Sequence, residues 1–183
     1  CAVAGGSAYC WGMNTSGAIG DGTTTDRLAP TKIASLGSIV SQVSAGYDHS
    51  CAVLGSALRC WGGNSSGQLG TGNTTDLSSP AGVPGLASGV SQVSAGDSYT
   101  CATVAGAARC WGSNQQGQLG DNTMTDHLSP AAVTGLTSGV SQVLSDGVHT
   151  CAQADIVYCW GQNTSGELGD GTLTQRLVPT PVA

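Results

Sequence analysis

The chain has 183 residues, of which only 9% are charged, and its formal net charge at pH 7 is −6. Its 5 lysine and arginine residues are too few to form the positive surface that a phosphate backbone requires, which argues against nucleic-acid binding. No apolar run reaches the roughly 18 residues of a membrane-spanning helix, so we do not expect insertion into a membrane.

Cysteine and tryptophan recur along the chain with a period of about 50 residues. Each unit contains one cysteine and a second one shortly afterwards, which gives the pairs Cys1 and Cys10, Cys51 and Cys60, Cys101 and Cys110, Cys151 and Cys159. A Trp-Gly dipeptide directly follows the second cysteine of each pair, and its tryptophans are Trp11, Trp61, Trp111 and Trp160. A glycine-rich period of this length is typical of propellers and solenoids. We predict one repeat domain over residues 1–183, with units at approximately 1–39, 40–89, 90–139 and 140–183.

The second unit shows the predicted elements most clearly. Short β-rich runs separated by glycine and polar turns predict three strands and a further edge strand, at Val40–Gly46, His49–Val53, Leu58–Trp61 and near Val83. No segment shows helical periodicity over about 11 residues. The chain is therefore predicted to be all-β.

The two cysteines of each unit are placed to face one another across a β-hairpin. With a two-residue turn after Leu54, Val53 lies opposite Leu58 and Cys51 lies opposite Cys60. Opposed residues at a non-hydrogen-bonded site have Cα atoms about 4.5 Å apart, a separation that a disulfide can bridge. Neither the spacing of zinc ligands nor the Cys-x-x-Cys of redox pairs occurs, so the alternatives are four local disulfides or four pairs of free cysteines in a reducing cytosol. We favour disulfides and an oxidising compartment, which predicts a secreted or cell-surface location, extracellular or periplasmic.

The repeated pattern resembles the regulator of chromosome condensation repeat. The motif Gly-x-x-His-(Ser/Thr)-Cys-Ala, at residues 46–52, precedes Cys-Trp-Gly-x-Asn-x-x-Gly-Gln-Leu-Gly, at residues 60–70. The resemblance covers essentially the whole chain, because several of these positions recur together at one period. It implies a β-propeller of four-stranded blades, usually seven in number, that often serves as a binding platform.

The number of units is smaller than the number of blades that the resemblance implies. About one strand of a complete four-unit set is also missing, because the first unit has no segment equivalent to Val40–Gly46. Three arrangements remain open at this point. The chain forms part of a longer propeller, or is completed by another chain in a homo-oligomer, or closes as a small four-bladed ring.

Candidate binding residues lie at loop positions that vary between units, whereas repeated residues are assigned to the architecture. One bulky aromatic residue per unit predicts that the blade interiors contain Trp11, Trp61, Trp111 and Trp160. Aromatic and polar loop residues make suitable interface anchors, which predicts a binding face formed by Tyr47, Asp48, Asp97, Ser98, Tyr99 and Val148.

The sequence shows no catalytic or metal-binding constellation. Segments 21–26, 121–126 and 170–175 contain the aspartates of a calcium loop but lack its dense Asp-x-Asp-x-Asp-Gly pattern, so we interpret them as turns. His49 and His149 occupy a repeated position and are assigned to the blade. Without a Ser-His-Asp spacing or a paired carboxylate, we predict no enzyme activity and no cofactor.

Four asparagines lie in Asn-x-Ser/Thr sequences, at Asn14, Asn64, Asn73 and Asn163. These sequences are either glycan acceptors or polar turns.

Together these features favour an extracellular or cell-surface protein-binding or adhesion module, whose protein or surface ligand the sequence does not identify. One alternative is a structural subunit of a fibre or multi-chain ring. The other is a secreted enzyme inhibitor, an activity for which the family offers a precedent.

Overall fold

The computed structural model describes all 183 residues and is an all-β fold. Its fifteen strands form one three-stranded and three four-stranded antiparallel sheets, here called blades 1 to 4 in chain order. Blade 1 contains β1 (Ala2–Ala4), β2 (Ser7–Gly12) and β3 (Arg27–Lys32); blade 2 contains β4 (Val40–Ala45), β5 (His49–Leu54), β6 (Ala57–Gly62) and β7 (Leu77–Gly82). Blade 3 contains β8 (Val90–Ala95), β9 (Tyr99–Val104), β10 (Ala107–Gly112) and β11 (His127–Ala132); blade 4 contains β12 (Gln142–Asp146), β13 (His149–Gln153), β14 (Val157–Gly161) and β15 (Arg176–Pro181).

Neighbouring strands of a blade are also neighbours in sequence, and the blades follow one another as an open arc. The fold class predicted from the repeat is therefore confirmed, in the form of a partial propeller. The one helical element is a 3-10 turn at Ala34–Leu36. The chain has no helix of the length and apolar character needed to cross a membrane.

The central hairpin of each blade has the predicted register. Val53 pairs with Leu58 and Cys51 pairs with Cys60, whose Cα atoms are 4.1 Å apart. All eight cysteines form disulfides within their own hairpins, as predicted, at Cys1–Cys10, Cys51–Cys60, Cys101–Cys110 and Cys151–Cys159. Each closes a loop of about ten residues, which stabilises the folded chain by roughly 2–3 kcal/mol on the chain-entropy model.

The outer strand of blade 2 differs in position from the prediction. The sequence placed it near Val83, but β7 spans Leu77–Gly82 and includes Pro80. A proline is tolerated there because an edge strand leaves one side of its backbone unpaired. Val83 instead follows the strand and is buried in the core between blades 2 and 3.

Each blade is attached to the preceding one through its tryptophan. The indole Nε1 of Trp111 donates a hydrogen bond of 2.9 Å to the carbonyl of Gln68, and the indole of Trp61 makes the same bond to Ala18. Gly70, in the same loop as Gln68, packs on the Trp111 ring with a φ of +70°, and a Cβ there would lie 2.7 Å from Nε1. The repeated Trp and Gly therefore form one contact between two successive units.

Trp11 is an exception, and its predicted place in a blade interior is wrong. The other three tryptophans are fully buried, whereas Trp11 is 45% exposed. The carbonyl and the glycine that contact each of the other tryptophans belong to the preceding unit, and residues 1–183 contain no such unit before Trp11. Leu28 on β3 is 99% exposed for the same reason, because its equivalents Leu128 and Leu177 pack against glycines of the preceding blade.

A buried asparagine organises the long polar loop of each blade. In blade 2, the Asn64 side chain accepts a hydrogen bond from the amide of Leu69 and donates to the carbonyls of Asn73 and Thr75. Asn14 and Asn163 make the equivalent three bonds, and Asn114 accepts from the amide of Leu119 and donates to the carbonyl of Thr123. Asn14, Asn64 and Asn163 belong to three of the four Asn-x-Ser/Thr sequences, and their buried side chains shape these loops. Only Asn73, in the fourth sequence, is exposed.

Side-chain hydrogen bonds connect the first strands of blades 2, 3 and 4. Gln42 on β4 accepts a hydrogen bond from the amide of Val93 on β8 and donates to its carbonyl, both at 3.0 Å. Gln92 on β8 binds Val143 on β12 in the same way. The short loops that follow these strands are thereby held side by side.

Candidate functional site

The loops between the first and second strands of blades 2, 3 and 4 form one surface, which we call the inner loop face. It consists of residues 46–48, 96–98 and 146–148. These loops surround an open depression of about 210 Å³, lined by Tyr47, Asp97, Asp146 and Gly147 among others. The amide of Asp97 lies 3.3 Å from the carbonyl of Gly147, which links two of the loops directly. Residues that are about 50 positions apart in sequence are thus brought together.

Tyr47 is the most prominent side chain of this face. It is 74% exposed, and it occupies the loop position that is Asp97 in blade 3 and Gly147 in blade 4. Asp97 is also exposed. The structure therefore places two of the predicted binding residues together at the surface. Asp146, which was not among the predicted binding residues, is exposed beside them. Its alignment with Gly46 and Gly96, which have no side chain, was the available signal.

Asp48, Ser98 and Val148 are tied to the fold through their backbones. Their carbonyls accept hydrogen bonds of 2.8 to 3.1 Å from the amides of Gly63, Ser113 and Gln162, the residues after each Trp-Gly pair. Their side chains remain half-buried at the edge of the inner loop face.

The carboxylate of Asp48 lies 3.3 Å from the amide nitrogen of Gln68. Desolvation raises the pKa of this carboxyl, although the Gln68 hydrogen bond opposes the shift.

Tyr99 does not belong to the surface, so its prediction as a binding residue is wrong. The ring is fully buried, and its hydroxyl donates to the carbonyl of His149 and accepts a hydrogen bond from Thr150 in blade 4. Desolvation raises the pKa of this hydroxyl. The ring fits because Gly96 lacks the Cβ that would clash with it. In blade 4 Asp146 replaces that glycine, and His149 is only half-buried.

His49 occupies the equivalent position in blade 2 and links two blades. Its Nε2 lies 2.8 Å from Oγ1 of Thr100, whose hydroxyl already donates to the carbonyl of Gln68. The imidazole must therefore be the donor at Nε2, which leaves Nδ1 without a hydrogen on it. This Nδ1 is buried without a hydrogen-bond partner, 4.0 Å from the Asp48 carboxylate. Burial lowers the pKa of His49 to about 4.

The inner loop face is acidic. It contains Asp48, Asp97 and Asp146 and no lysine or arginine. Two of the chain's arginines lie elsewhere, in turns where Arg27 binds Asp21 at 2.6 Å and Arg176 binds Asp170 at 2.7 Å. This face therefore carries uncompensated negative charge.

The segments with a loose calcium-loop pattern are turns closed by side chains. Asp121 pairs with His127 at 2.7 Å, in the place of the Asp–Arg pairs of blades 1 and 4. The Thr172 hydrogen bond, followed by that of Arg176, lowers the pKa of Asp170 to about 2. No group of three or more His, Cys, Asp or Glu side chains in the chain could hold a metal ion.

The successive four-stranded antiparallel blades define the class of protein as a repeat-built β-propeller. All four units match the family model of the "Regulator of chromosome condensation (RCC1) repeat", at residues 5–53, 60–103, 106–153 and 155–183, and a second model of this repeat matches residues 40–68. The chain belongs to the RCC1 repeat family.

Three solved structures are similar to the chain. Human WBSCR16 is 26% identical with a TM-score of 0.85, over 98% of this chain and 49% of that protein. Yeast RCC1 (Prp20), solved bound to Kap60, is 24% identical with a TM-score of 0.79, over 94% and 45%. Prp20p from Saccharomyces cerevisiae, in a second structure, is 24% identical with a TM-score of 0.78, over 94% and 46%. The chain therefore spans about half the length of these proteins. A comparison with curated protein sequences gives no match.

Proposed function

We propose that this chain is an extracellular or cell-surface protein-binding module and that the inner loop face is its contact surface. The observation that carries the proposal is that the repeated residues lie inside the fold, whereas variable residues lie exposed at one surface. The repeated Trp, Asn and Gln side chains form contacts within the fold, whereas the variable Tyr47 and Asp97 are exposed at one depression. An exposed aromatic residue beside polar groups is a suitable anchor for a partner.

The four disulfides support the extracellular location. Disulfides persist in oxidising compartments, and these lie in every blade. Binding of proteins has a counterpart in the family, because the yeast structures describe Prp20 bound to Kap60 and the binding of Prp20p to Gsp1p and histones.

The charge of the inner loop face supports a basic partner segment. Asp97 and Asp146 are exposed, and no cation of the chain neutralises them. Complementary charge steers association and selects among partners. A segment rich in lysine or arginine with an apolar residue for Tyr47 fits this surface.

The test is a selection of random surface-displayed peptides on the folded, oxidised chain. We expect basic sequences to be enriched. The double variant Tyr47→Ala/Asp97→Asn is expected to bind the selected peptides at least about tenfold more weakly, since it removes the anchor and a surface charge. The matched control is Asp155→Asn, which removes one charge at the hairpin tip of blade 4, away from this face. Equal affinity of the double variant and the wild type would exclude the inner loop face as the binding surface.

A further inference from the structure

One of the four Asn-x-Ser/Thr sequences differs from the others in the environment of its asparagine. Asn73 lies in the polar loop of blade 2, where residues 72–76 are all exposed. The asparagines of the other three sequences are fully buried, and both ends of each side-chain amide are hydrogen-bonded within the same loop: Asn14, Asn64 and Asn163. Of these four amides, the folded chain therefore presents only that of Asn73 at its surface.

The turn that contains Asn73 differs in composition from the equivalent turns of the other blades. In blade 1, the hydroxyl and the backbone amide of Thr23 bind the carboxylate of Asp21, which also binds Arg27. Blades 3 and 4 repeat this arrangement, with histidine in place of arginine in blade 3. Blade 2 has uncharged residues at these three positions, Thr71, Asn73 and Leu77. The side chain of Asn73 is therefore not bound to a carboxylate, unlike its threonine equivalents.

The side-chain oxygen of Asn73 replaces the threonine hydroxyl in holding the turn. Its Oδ1 accepts a hydrogen bond of 2.9 Å from the amide of Thr75. In blade 1 the hydroxyl of Thr23 accepts the equivalent bond from the amide of Thr25. A backbone amide only donates, so the atom that it contacts must be the oxygen and not the nitrogen of the Asn73 side chain. Every side-chain hydrogen bond of Asn73 ends at this oxygen, which leaves Nδ2 free.

The hydroxyl of Thr75 is the second group that an N-glycan acceptor sequence requires. Thr75 is exposed, and its hydrogen bonds within the loop use only its backbone, because its amide binds Asn73 and its carbonyl binds Asn64. Thr74, between Asn73 and Thr75, is not a proline, the residue that would exclude acceptance. One exposed turn thus presents both a free amide nitrogen and a free hydroxyl.

We propose that Asn73 is an N-glycosylation site and that it is the one acceptor among these four asparagines in the folded chain. In the reaction, Nδ2 of Asn73 attacks the anomeric carbon of an oligosaccharide linked to a lipid pyrophosphate, in the active site of an oligosaccharyltransferase. The C–N bond forms as the C–O bond to the pyrophosphate breaks. The lipid pyrophosphate leaves with the bonding electron pair, and one amide proton passes to a base of the enzyme. The inference rests on the extracellular location proposed above, because N-linked glycans are found on surface loops of secreted proteins.

The hydrogen bonds of the buried asparagines explain why the fold accepts a glycan at Asn73 alone. Nδ2 of Asn64 donates to the carbonyls of Asn73 and Thr75, both at 3.0 Å. A glycosylated amide nitrogen retains one hydrogen, so it loses one of these bonds, and the sugar would occupy a site where Asn64 is fully buried. A glycan on Asn73 leaves Oδ1 in its bond to Thr75 and extends into solvent.

The experiment incubates the oxidised full chain with a purified single-subunit oligosaccharyltransferase and a lipid-pyrophosphate-linked oligosaccharide, and maps the products by mass spectrometry. We expect at least about tenfold more transfer to Asn73 than to Asn64, which is accessible only when its loop opens. The matched control is a peptide of residues 61–80, which contains both sequences without the fold and should accept a glycan at both asparagines. A folded chain that is modified equally at Asn64 and Asn73, or not at Asn73, would overturn the proposal.

Two single substitutions check the assignment in the folded chain. Thr75→Ala removes the hydroxyl but keeps the acceptor amide and the backbone hydrogen bonds of the turn, so we expect it to abolish transfer. Ser66→Ala removes the hydroxyl of the Asn64 sequence in the same way and should leave transfer unchanged. Loss of transfer in both variants, or in neither, would contradict the assignment to Asn73.

The location is tested separately, on the chain isolated from its native cells. The expected result is four complete disulfides and a glycan on Asn73 that peptide-N-glycosidase releases. Free cysteines would contradict the extracellular location, and the glycan with it, even if Asn73 accepts one in vitro. Complete disulfides with an unmodified Asn73 would overturn the glycan alone and leave the proposed location standing.

Discussion

Replacement of Trp111 by alanine is expected to lower the free energy of unfolding by about 4 kcal/mol. The indole is fully buried in the core between blades 2 and 3, which includes Leu69 and Val83. The substitution removes this packing and leaves the carbonyl of Gln68 without the hydrogen bond from Nε1. Both losses act at one blade junction, and the measurement is equilibrium unfolding in urea of the oxidised chain.

The chain contains its own control for this result. Trp11→Ala makes the same chemical change at the equivalent position of blade 1, where the ring is half-exposed and no preceding blade packs on it. We expect a loss of about 1 kcal/mol or less. Trp111→Phe keeps most of the volume and should fall between the two. Equal losses at Trp11 and Trp111 would contradict the conclusion that the tryptophan joins successive blades.

Acidification is expected to destabilise the chain by about 3 kcal/mol between pH 6.5 and pH 4 through His49 alone. The folded state keeps this imidazole neutral, with a pKa of about 4, whereas the unfolded state has the ordinary value of 6.5. Above pH 6.5 neither state binds the proton, so stability does not change. As the pH falls through this window only the unfolded state gains a proton, which favours unfolding. The measurement is the urea midpoint as a function of pH.

Carboxyl groups with shifted pKa values also affect the stability of the fold, either at lower pH values than His49 or in the opposite direction. Asp170 has a lowered pKa, so the stability it contributes is lost only as the pH falls below 4 towards its folded pKa of about 2. Asp48, which faces His49, has a raised pKa, so its protonation in acid favours the folded state and offsets part of the loss.

His49→Gln isolates the contribution of the imidazole. Glutamine keeps a neutral donor for Thr100 but does not titrate. The slope between pH 6.5 and 4 should therefore flatten in this variant. His49→Tyr, which copies Tyr99 of blade 3, is a second variant with no titration in this range. An unchanged slope in both variants would show that His49 does not carry the acid sensitivity.

Much of the fold could be predicted from the sequence because the repeat constrains it several times over. The Cys51–Cys60 hairpin has one register that places both cysteines opposite each other, and the same spacing recurs in the other units. The exposure of Trp11 could not be read from the repeat. A repeat identifies the position of a residue within its unit, but burial here depends on whether a further unit precedes it.

The errors at the candidate site have a related cause. Tyr99 varies from the histidine of units 2 and 4, which favoured a surface role, but it is the first residue of β9, and its ring turns inward over Gly96 and contacts blade 4. The alignment of Tyr99 with His49, a residue already assigned to the blade, was the signal that pointed inward. The blade-to-blade bonds of Gln42 and Gln92 were not predicted, since nothing in a strand pattern specifies which neighbouring strand a polar side chain reaches.

The most direct test of protein binding through the inner loop face is a hydrogen-exchange footprint of the oxidised chain bound to its tightest selected peptide. We predict slower exchange at residues 46–48, 96–98 and 146–148, with no change at the hairpin tips, residues 55–56 and 105–106. Protection confined to the hairpin tips or to β3 of blade 1, with unchanged exchange in the three loops, would contradict it.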